Sequence, residues 1–272
     1  MASTILNDVR LHYDIVGTGE TVVLTHGSWG DGAGWQPTVD ILAEHYRVVT
    51  WDRRGHSRSD NGLKQGVIAD DVNDLAALIE HVATEPVHVV GNSFGSVISY
   101  RLVVDRPELL KSAAVHEPAA LALLSESDDP EVKAVADPFF KELYTVKSLL
   151  EQGRNRDAPA HFMDYVAFGP GTWASFPEES MQALEANAPT FLEELQEHPY
   201  GQLDVDALAK SEIPLLLTVG TESPEFLKLI VNILADRAPT IKVEWIQGSG
   251  HVPHATHPEA WSTVLMDFWR ST

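Results

Sequence analysis

The chain has 272 residues, 44 % of them apolar and 22 % charged, as in globular proteins with a sizeable core, and its lack of cysteine excludes disulfides and thiolate metal sites. The formal net charge of −21 makes nucleic acid and anionic membranes unfavourable partners, because they repel an acidic surface. No apolar run reaches the roughly 18 residues of a membrane span, and no signal peptide is recognisable, so we expect a cytoplasmic protein.

The first part of the chain alternates predicted strands with predicted helices. Residues 9–16 alternate apolar and polar side chains, which predicts an edge strand. Further strands are predicted at 21–25, 47–51, 87–90 and 112–116, and helices at 37–45, 67–82 and 96–104. Strands that alternate with helices imply an α/β fold with a mostly parallel sheet and helices on both faces.

The pattern changes after residue 118. Residues 119–205 have helix-like sequence that is interrupted by prolines and rich in aromatic side chains, and we interpret them as a helical insertion. The alternation then resumes, with strands predicted at 214–219 and 241–246 and helices at 225–236 and 258–270. The sequence therefore predicts a core domain built from 1–118 and 206–272, with an insertion at 119–205.

The segment Gly91-Asn92-Ser93-Phe94-Gly95 lies between a predicted strand and a predicted helix. A G-x-S-x-G sequence in this context is typical of a nucleophile elbow, in which the serine hydroxyl stands above a helix N-terminus. Gly91 and Gly95 would omit side chains that collide in so tight a turn. We therefore expect Ser93 to have a strained backbone and to act as a nucleophile.

A serine hydroxyl is a weak nucleophile and requires a base. His251 is the candidate base, because it follows the last predicted strand in Gly248-Ser249-Gly250-His251. Two carboxylates that also follow strands could orient the imidazole, Glu117 and Glu222. Either one keeps the chain order serine, acid, histidine.

Loops that follow strands also supply the expected oxyanion donors and the histidines considered for a zinc site. The backbone N–H groups of Ser28 and Phe94 are the expected oxyanion donors, and Trp29 is a weaker alternative to Ser28.

His254 and His257 lie close to His251 in sequence, which would suit a zinc site. The neighbouring prolines and the lack of an acidic ligand there argue against a metal.

These motifs together resemble the α/β-hydrolase superfamily. The resemblance includes His26-Gly27, the loop 52–59, the elbow and Gly250-His251, and it implies an eight-stranded sheet with a helical cap at 119–205.

In many members an acid follows the seventh strand, where this chain has Ser223. The chain is similar to zearalenone hydrolases, which carry a His-Glu pair after the sixth strand, and His116-Glu117 matches that pair. The resemblance thus favours Glu117 over Glu222.

A serine rather than an aspartate at the elbow indicates acyl transfer. We expect a cofactor-free hydrolase that cleaves a carboxylic ester or lactone of a mainly apolar small molecule, with Trp29 and Trp173 in the substrate pocket. A C–C hydrolase or a perhydrolase could use the same triad, and a non-enzymatic receptor could retain the fold. The sequence does not distinguish a monomer from a homodimer.

Overall fold

A computed structural model describes residues 2–61 and 67–272. Its strands are β1 Ala2–Leu6, β2 Val9–Val16, β3 Thr21–Thr25, β4 Arg47–Trp51, β5 Val87–Asn92, β6 Leu110–His116, β7 Leu215–Gly220 and β8 Lys242–Ile246. They form one eight-stranded sheet in the order β1-β2-β4-β3-β5-β6-β7-β8. Strand β2 is antiparallel to both of its neighbours, β1 and β4, and β3 to β8 are parallel to one another. The predicted mostly parallel sheet is confirmed.

The α-helices of the described residues are numbered in chain order. They are α1 Gln36–Leu42, α2 Ile68–Val82, α3 Phe94–Asp105, α4 Ala122–Ser125, α5 Pro130–Glu151, α6 Asp157–Phe162, α7 Thr172–Ser175, α8 Glu178–Glu194, α9 Val205–Ala209, α10 Glu225–Arg237, α11 Pro253–Thr256 and α12 Pro258–Arg270. Short 3₁₀ turns lie at Gly32–Trp35 and Pro107–Leu109, and a π-helical turn at Met163–Ala167. Within the part of the chain described, no helix is long and apolar enough to cross a bilayer.

Helices cover both faces of the sheet. Val22 and Leu24 of β3 belong to an apolar cluster with Trp261 of α12. Val23, which points the opposite way, belongs to a second cluster with Val97 of α3. Strand residues alternate between faces, so each β-branched run supplies both cores. This arrangement leaves the carboxyl ends of the parallel strands free to carry the loops of the site.

Strand β1 differs from the sequence prediction. The structure pairs it with β2 through a turn at Asn7 and Asp8, whose φ angles of 48° and 63° suit a tight hairpin. The strand 9–16 therefore lies inside the sheet and not at its edge. Most β1 side chains are exposed, so the sequence lacks the apolar pattern that would have revealed the strand.

Two of the prolines interpreted as helix breaks lie inside helices, Pro138 in α5 and Pro189 in α8. An internal proline removes a backbone hydrogen bond and costs roughly 3 kcal/mol in an isolated helix. Both helices bury part of one face, for example Val146 of α5 and Phe191 of α8. Tertiary packing of these faces offsets the local cost.

Candidate active site

Ser93 lies at the turn between β5 and α3. Its φ of 56° and ψ of −119° form a combination that residues with a side chain rarely adopt. A Cβ added at Gly91 would lie 2.4 Å from the Gly95 carbonyl oxygen, and one at Gly95 would lie 2.3 Å from the Thr25 carbonyl oxygen. Both clashes are with backbone atoms that cannot move aside. This explains why glycine lies two residues before Ser93 and two residues after it.

His251 is paired with Glu117. The imidazole Nδ1 lies 2.7 Å from Glu117 Oε2, and the Gly220 N–H donates to Glu117 Oε1 at 2.8 Å. The Asn92 side-chain amide donates to the His251 carbonyl oxygen at 2.9 Å and so holds the histidine loop beside the elbow. A carboxylate at Nδ1 favours the tautomer protonated there, which leaves Nε2 able to accept a proton.

Ser93 and His251 line the same cavity. Their side chains do not hydrogen-bond to each other in the part of the chain described, although such contacts often tighten only with substrate bound. Glu222 is exposed, and its backbone N–H donates to the Ser249 carbonyl oxygen. The structure therefore brings Glu117, and not Glu222, to the imidazole.

A second imidazole flanks the Glu117 carboxylate. His116 Nε2 lies 3.3 Å from Glu117 Oε1, and both side chains are fully buried. Burial raises the pKa of Glu117, but its interactions with the neighbouring His116 and His251 rings outweigh burial and hold this pKa well below its usual range. The acid is therefore ionised at neutral pH. Sequence reasoning used His116 only as half of a His-Glu pair and did not find this contact.

The same three side chains are the place where a metal could bind. The ligand atoms of His116, Glu117 and His251 lie within 4.8 Å of one another, and no other such group occurs among the residues described. Both Glu117 oxygens already accept hydrogen bonds from the protein. His254 and His257, the other histidines considered for zinc, are not part of the group.

The turn after β3 supplies the second side of the nucleophile site. A Cβ added at Gly27 would lie 2.8 Å from Ser93 Cβ, so the Gly27 backbone runs directly against the nucleophile. Ser28 lines the cavity beside Ser93, and Phe94 is the first residue of α3. Within residues 2–61 and 67–272, neither the Ser28 nor the Phe94 amide donates to a protein acceptor. Two such N–H groups beside a nucleophile are suited to binding an oxyanion.

His26 fixes this turn from below. Its Nδ1 lies 2.8 Å from the Gly27 carbonyl oxygen, and its Nε2 accepts the Arg53 backbone N–H at 2.9 Å. One ring nitrogen donates and the other accepts, so the pair of contacts requires a neutral imidazole. Burial, reinforced by the Arg53 charge, lowers the pKa of His26 to about 4. The ring thus remains neutral and ties the turn to the loop after β4.

The cavity beside Ser93 encloses about 40 Å³ and is mostly apolar. Trp29 and Trp173, which the sequence placed in the substrate pocket, are not among the described residues that line this cavity. The Trp29 ring lies one layer behind, with its centroid 4.4 Å from that of Phe191, which does line the cavity. Trp173 packs instead against Phe176 at 6.3 Å between centroids. Residue type alone does not distinguish a side chain that lines the cavity from one that packs behind the lining.

Residues 22–263 match the alpha/beta hydrolase family. The chain belongs to this family. It is 29 % identical over 270 residues to the uncharacterized hydrolase YraK of Bacillus subtilis, with 95 % of this chain and 92 % of that protein aligned. It is 28 % identical to the putative carbamate hydrolase RutD of Variovorax paradoxus, with 95 % of each chain aligned.

The fold is also found among solved structures. That of Est816, described as an N-acyl homoserine lactone degrading enzyme, has a TM-score of 0.73 and 21 % identity, with 98 % of this chain and all (100 %) of that chain aligned. This likeness shows the fold. Membership of the family makes the protein an enzyme of the alpha/beta hydrolase type.

We expect the variant His254→Phe to tolerate acid better than the wild type. The centroid of the His254 ring lies 4.4 Å from that of the Trp35 ring, and burial lowers the pKa of His254 to about 3. An unfolded histidine titrates near pH 6.5, so wild-type stability falls between pH 6.5 and 3 as the unfolded state takes up the proton first. At pH 5 this loss is about 2 kcal/mol, and phenylalanine removes it.

Urea unfolding of both proteins at pH 8 and pH 5 measures the effect. The stability of the variant relative to the wild type should rise by about 2 kcal/mol between the two pH values. An equal difference at both pH values would contradict a neutral, buried His254.

Proposed function

We propose that the protein is a serine hydrolase that cleaves a carboxylic ester or lactone of a mainly apolar small molecule through Ser93, His251 and Glu117. The observation that carries the proposal is the 2.7 Å contact between His251 Nδ1 and a buried Glu117 carboxylate, beside a cavity that Ser93 and His251 both line. We further propose that the helices between β6 and β7 form a cap over this cavity.

In the proposed acylation step Ser93 is the nucleophile, and His251 is first the base and then the acid. The Ser93 hydroxyl proton passes to His251 Nε2 while Ser93 Oγ attacks the substrate carbonyl carbon. The Ser28 and Phe94 amides stabilise the resulting oxyanion. The intermediate then collapses, the C–O bond breaks, and the leaving alcohol takes the proton from His251. A lactone retains this alcohol in the acyl-enzyme as a tethered hydroxyl.

Water completes the cycle. It attacks the acyl carbon and gives a proton to His251, which returns a proton to Ser93 Oγ as the acid departs. Glu117 stabilises the imidazolium in both half-reactions without taking the proton. The apolar cavity lining favours an ester or lactone with a small apolar acyl group over a charged substrate.

A fluorophosphonate probe tests the nucleophile. We expect one adduct on Ser93, located by mass spectrometry of peptides, and no adduct in the variant Ser93→Ala. Turnover of activated esters and lactones, compared with carbamates, diketones and peroxide-coupled halogenation, then separates the ester reaction from the other reactions of the same triad. No labelling of Ser93, or turnover confined to diketones or peroxide, would contradict the proposal, and saturable binding without turnover would favour a receptor.

Two stacked rings separate the cavity from an outer groove of about 360 Å³. Phe139 of α5 and Phe226 of α10 have ring centroids 4.0 Å apart, and both rings line the cavity and the groove. Their position suggests that they limit the length of the acyl group that fits beside Ser93.

We expect the variant Phe226→Ala to shift the preferred ester to a longer acyl chain. Room for two more buried methylene groups, at about 0.8 kcal/mol each, would raise kcat/KM for a hexanoyl ester about tenfold relative to a butanoyl ester. Nitrophenyl esters from acetyl to octanoyl measure the shift. Phe140→Ala is the matched control, since the Phe140 ring packs on Phe139 at 5.1 Å but does not line the cavity. An unchanged chain-length profile in Phe226→Ala would show that these rings do not limit the substrate.

A further inference from the structure

A buried ionic cluster lies directly beneath the Gly27–Ser28 turn. Arg53 is 1 % exposed, and its guanidinium forms two hydrogen bonds with Asp71, both at 3.1 Å. A third, at 2.8 Å, goes to Glu194 Oε1. The Arg53 guanidinium carbon also lies 4.7 Å from the centre of the Phe94 ring. One cation is therefore shared by two carboxylates next to both proposed oxyanion donors.

The second oxygen of Glu194 reaches the oxyanion turn itself. Ser28 Oγ donates to Glu194 Oε2 at 2.5 Å, and the Tyr200 hydroxyl donates to the same oxygen at 3.4 Å. Burial raises the pKa of Glu194 against the opposing effects of Arg53 and Ser28. A buried carboxylate is costly to maintain in a protein interior, and here it contacts the side chain of the residue whose amide faces the nucleophile.

Glu194 belongs to a polar stripe on α8 that docks on the catalytic loops. The Asn187 side-chain amide donates to the Trp29 carbonyl oxygen at 2.9 Å and accepts the Ser57 backbone N–H at 2.9 Å. Thr190 Oγ1 lies 3.0 Å from His56 Nε2. These positions are three and four residues apart, so they share one helix face. The buried face of α8 thus makes directional contacts with the loops that follow β3 and β4.

We propose that Glu194 is a positioning residue for acyl transfer, which holds the Ser28 side chain so that the Ser28 amide remains directed at the oxyanion. This inference rests on the proposed function, because it requires the Ser28 amide to be a donor. It also means that the oxyanion site is complete only while α8 packs against the loops that follow β3 and β4. An α8 that moved away would take with it the acceptor that fixes Ser28.

The role of Glu194 predicts a loss in kcat with little change in KM. An oxyanion interaction exists only in the transition state and the intermediate, so loosening it leaves substrate binding unaffected. We expect Glu194→Leu and Ser28→Ala each to lower kcat about tenfold, with KM within about twofold of the wild type. Glu194→Gln retains an acceptor for Ser28 and leaves Arg53 paired with Asp71, so its kcat should stay within about threefold.

The double variant Ser28→Ala/Glu194→Leu distinguishes positioning from general damage. If the two residues act through one hydrogen bond, the double variant loses about tenfold in kcat, whereas independent effects would multiply to about a hundredfold. Glu197→Gln is the matched control, because this half-buried carboxylate lies just beyond α8 and binds Arg101 and the Ile68 backbone N–H instead of the turn.

The rate of fluorophosphonate labelling separates the failure of this inference from the failure of the proposed function. Wild-type protein that reacts with the probe while Glu194→Leu reacts at an equal rate would overturn the role of Glu194 alone. Additive losses, or a rise in KM with kcat unchanged, would overturn it as well. Wild-type protein that does not react at all would overturn the proposed function itself.

Discussion

Replacing Glu117 with glutamine should lower kcat by about four orders of magnitude, whereas Glu222→Gln should leave it within about twofold of the wild type. The amide of glutamine can donate to His251 Nδ1, which favours the tautomer protonated at Nε2. That tautomer cannot accept the Ser93 proton. Steady-state kinetics on an activated ester measure both variants, and circular dichroism checks that both are folded.

The local structure around the two carboxylates explains the expected contrast. Glu117 is fully buried, and its two oxygens accept hydrogen bonds from His251 at 2.7 Å and from Gly220 N–H at 2.8 Å. The Glu222 side chain is exposed to solvent, which screens its charge from distant groups. A nearly normal Glu117→Gln with a crippled Glu222→Gln would show that the acid was assigned to the wrong loop.

The elbow could be predicted from sequence because its determinants are local. Gly91, Ser93 and Gly95 lie within five consecutive residues, and the collision that requires Gly91 is with the Gly95 carbonyl oxygen of the same segment. The collision that requires Gly95 is with Thr25 of β3, which no local pattern shows. The strands 9–16, 21–25 and 47–51 were predicted with their observed bounds, since apolar alternation and β-branched runs follow directly from burial. His251 followed from the same reasoning about loops at the carboxyl ends of strands.

The choice of acid depended on more than local pattern. Glu117 and Glu222 both follow a strand, and only the resemblance to a group with a His-Glu pair separated them. The structural difference lies in burial: Glu117 is enclosed beneath the histidine loop, and Glu222 faces water. Burial of a single loop residue depends on how distant segments pack, which a one-dimensional pattern does not encode.

The contacts of Glu194 could not be predicted for a related reason. Glu194 meets Ser28 across 166 residues of chain and Arg53 across 141. In the sequence it is one of two adjacent acids in Phe191-Leu192-Glu193-Glu194, where a charged helix end is the ordinary interpretation. Its neighbour Glu193 is in fact only half-buried. Polar residues on the buried face of a helix acquire their role from the loops that they touch.

Replacing Ser93 with glycine should abolish activity and at the same time stabilise the protein. Loss of the nucleophile lowers kcat on the order of a millionfold in serine hydrolases with an intact oxyanion site. Ser93 has φ 56° and ψ −119°, which glycine adopts without the steric cost of a Cβ. Relief of this strain, less the greater freedom of glycine in the unfolded chain, gives a gain of about 1 kcal/mol in the free energy of unfolding.

The variant Ser93→Ala is the control that isolates the strain. Alanine removes the same hydroxyl but keeps the Cβ, so it should be as inactive as Ser93→Gly and as stable as the wild type within about 0.5 kcal/mol. Urea unfolding of all three proteins measures the differences. Equal stability of the glycine and alanine variants would contradict the prediction, because the strain at the elbow would then be no larger than the cost of glycine's freedom in the unfolded chain. The backbone hydrogen bonds of Ser93 with His116, Ser96 and Ala119 are common to all three proteins, so a difference between glycine and alanine reports the Cβ alone.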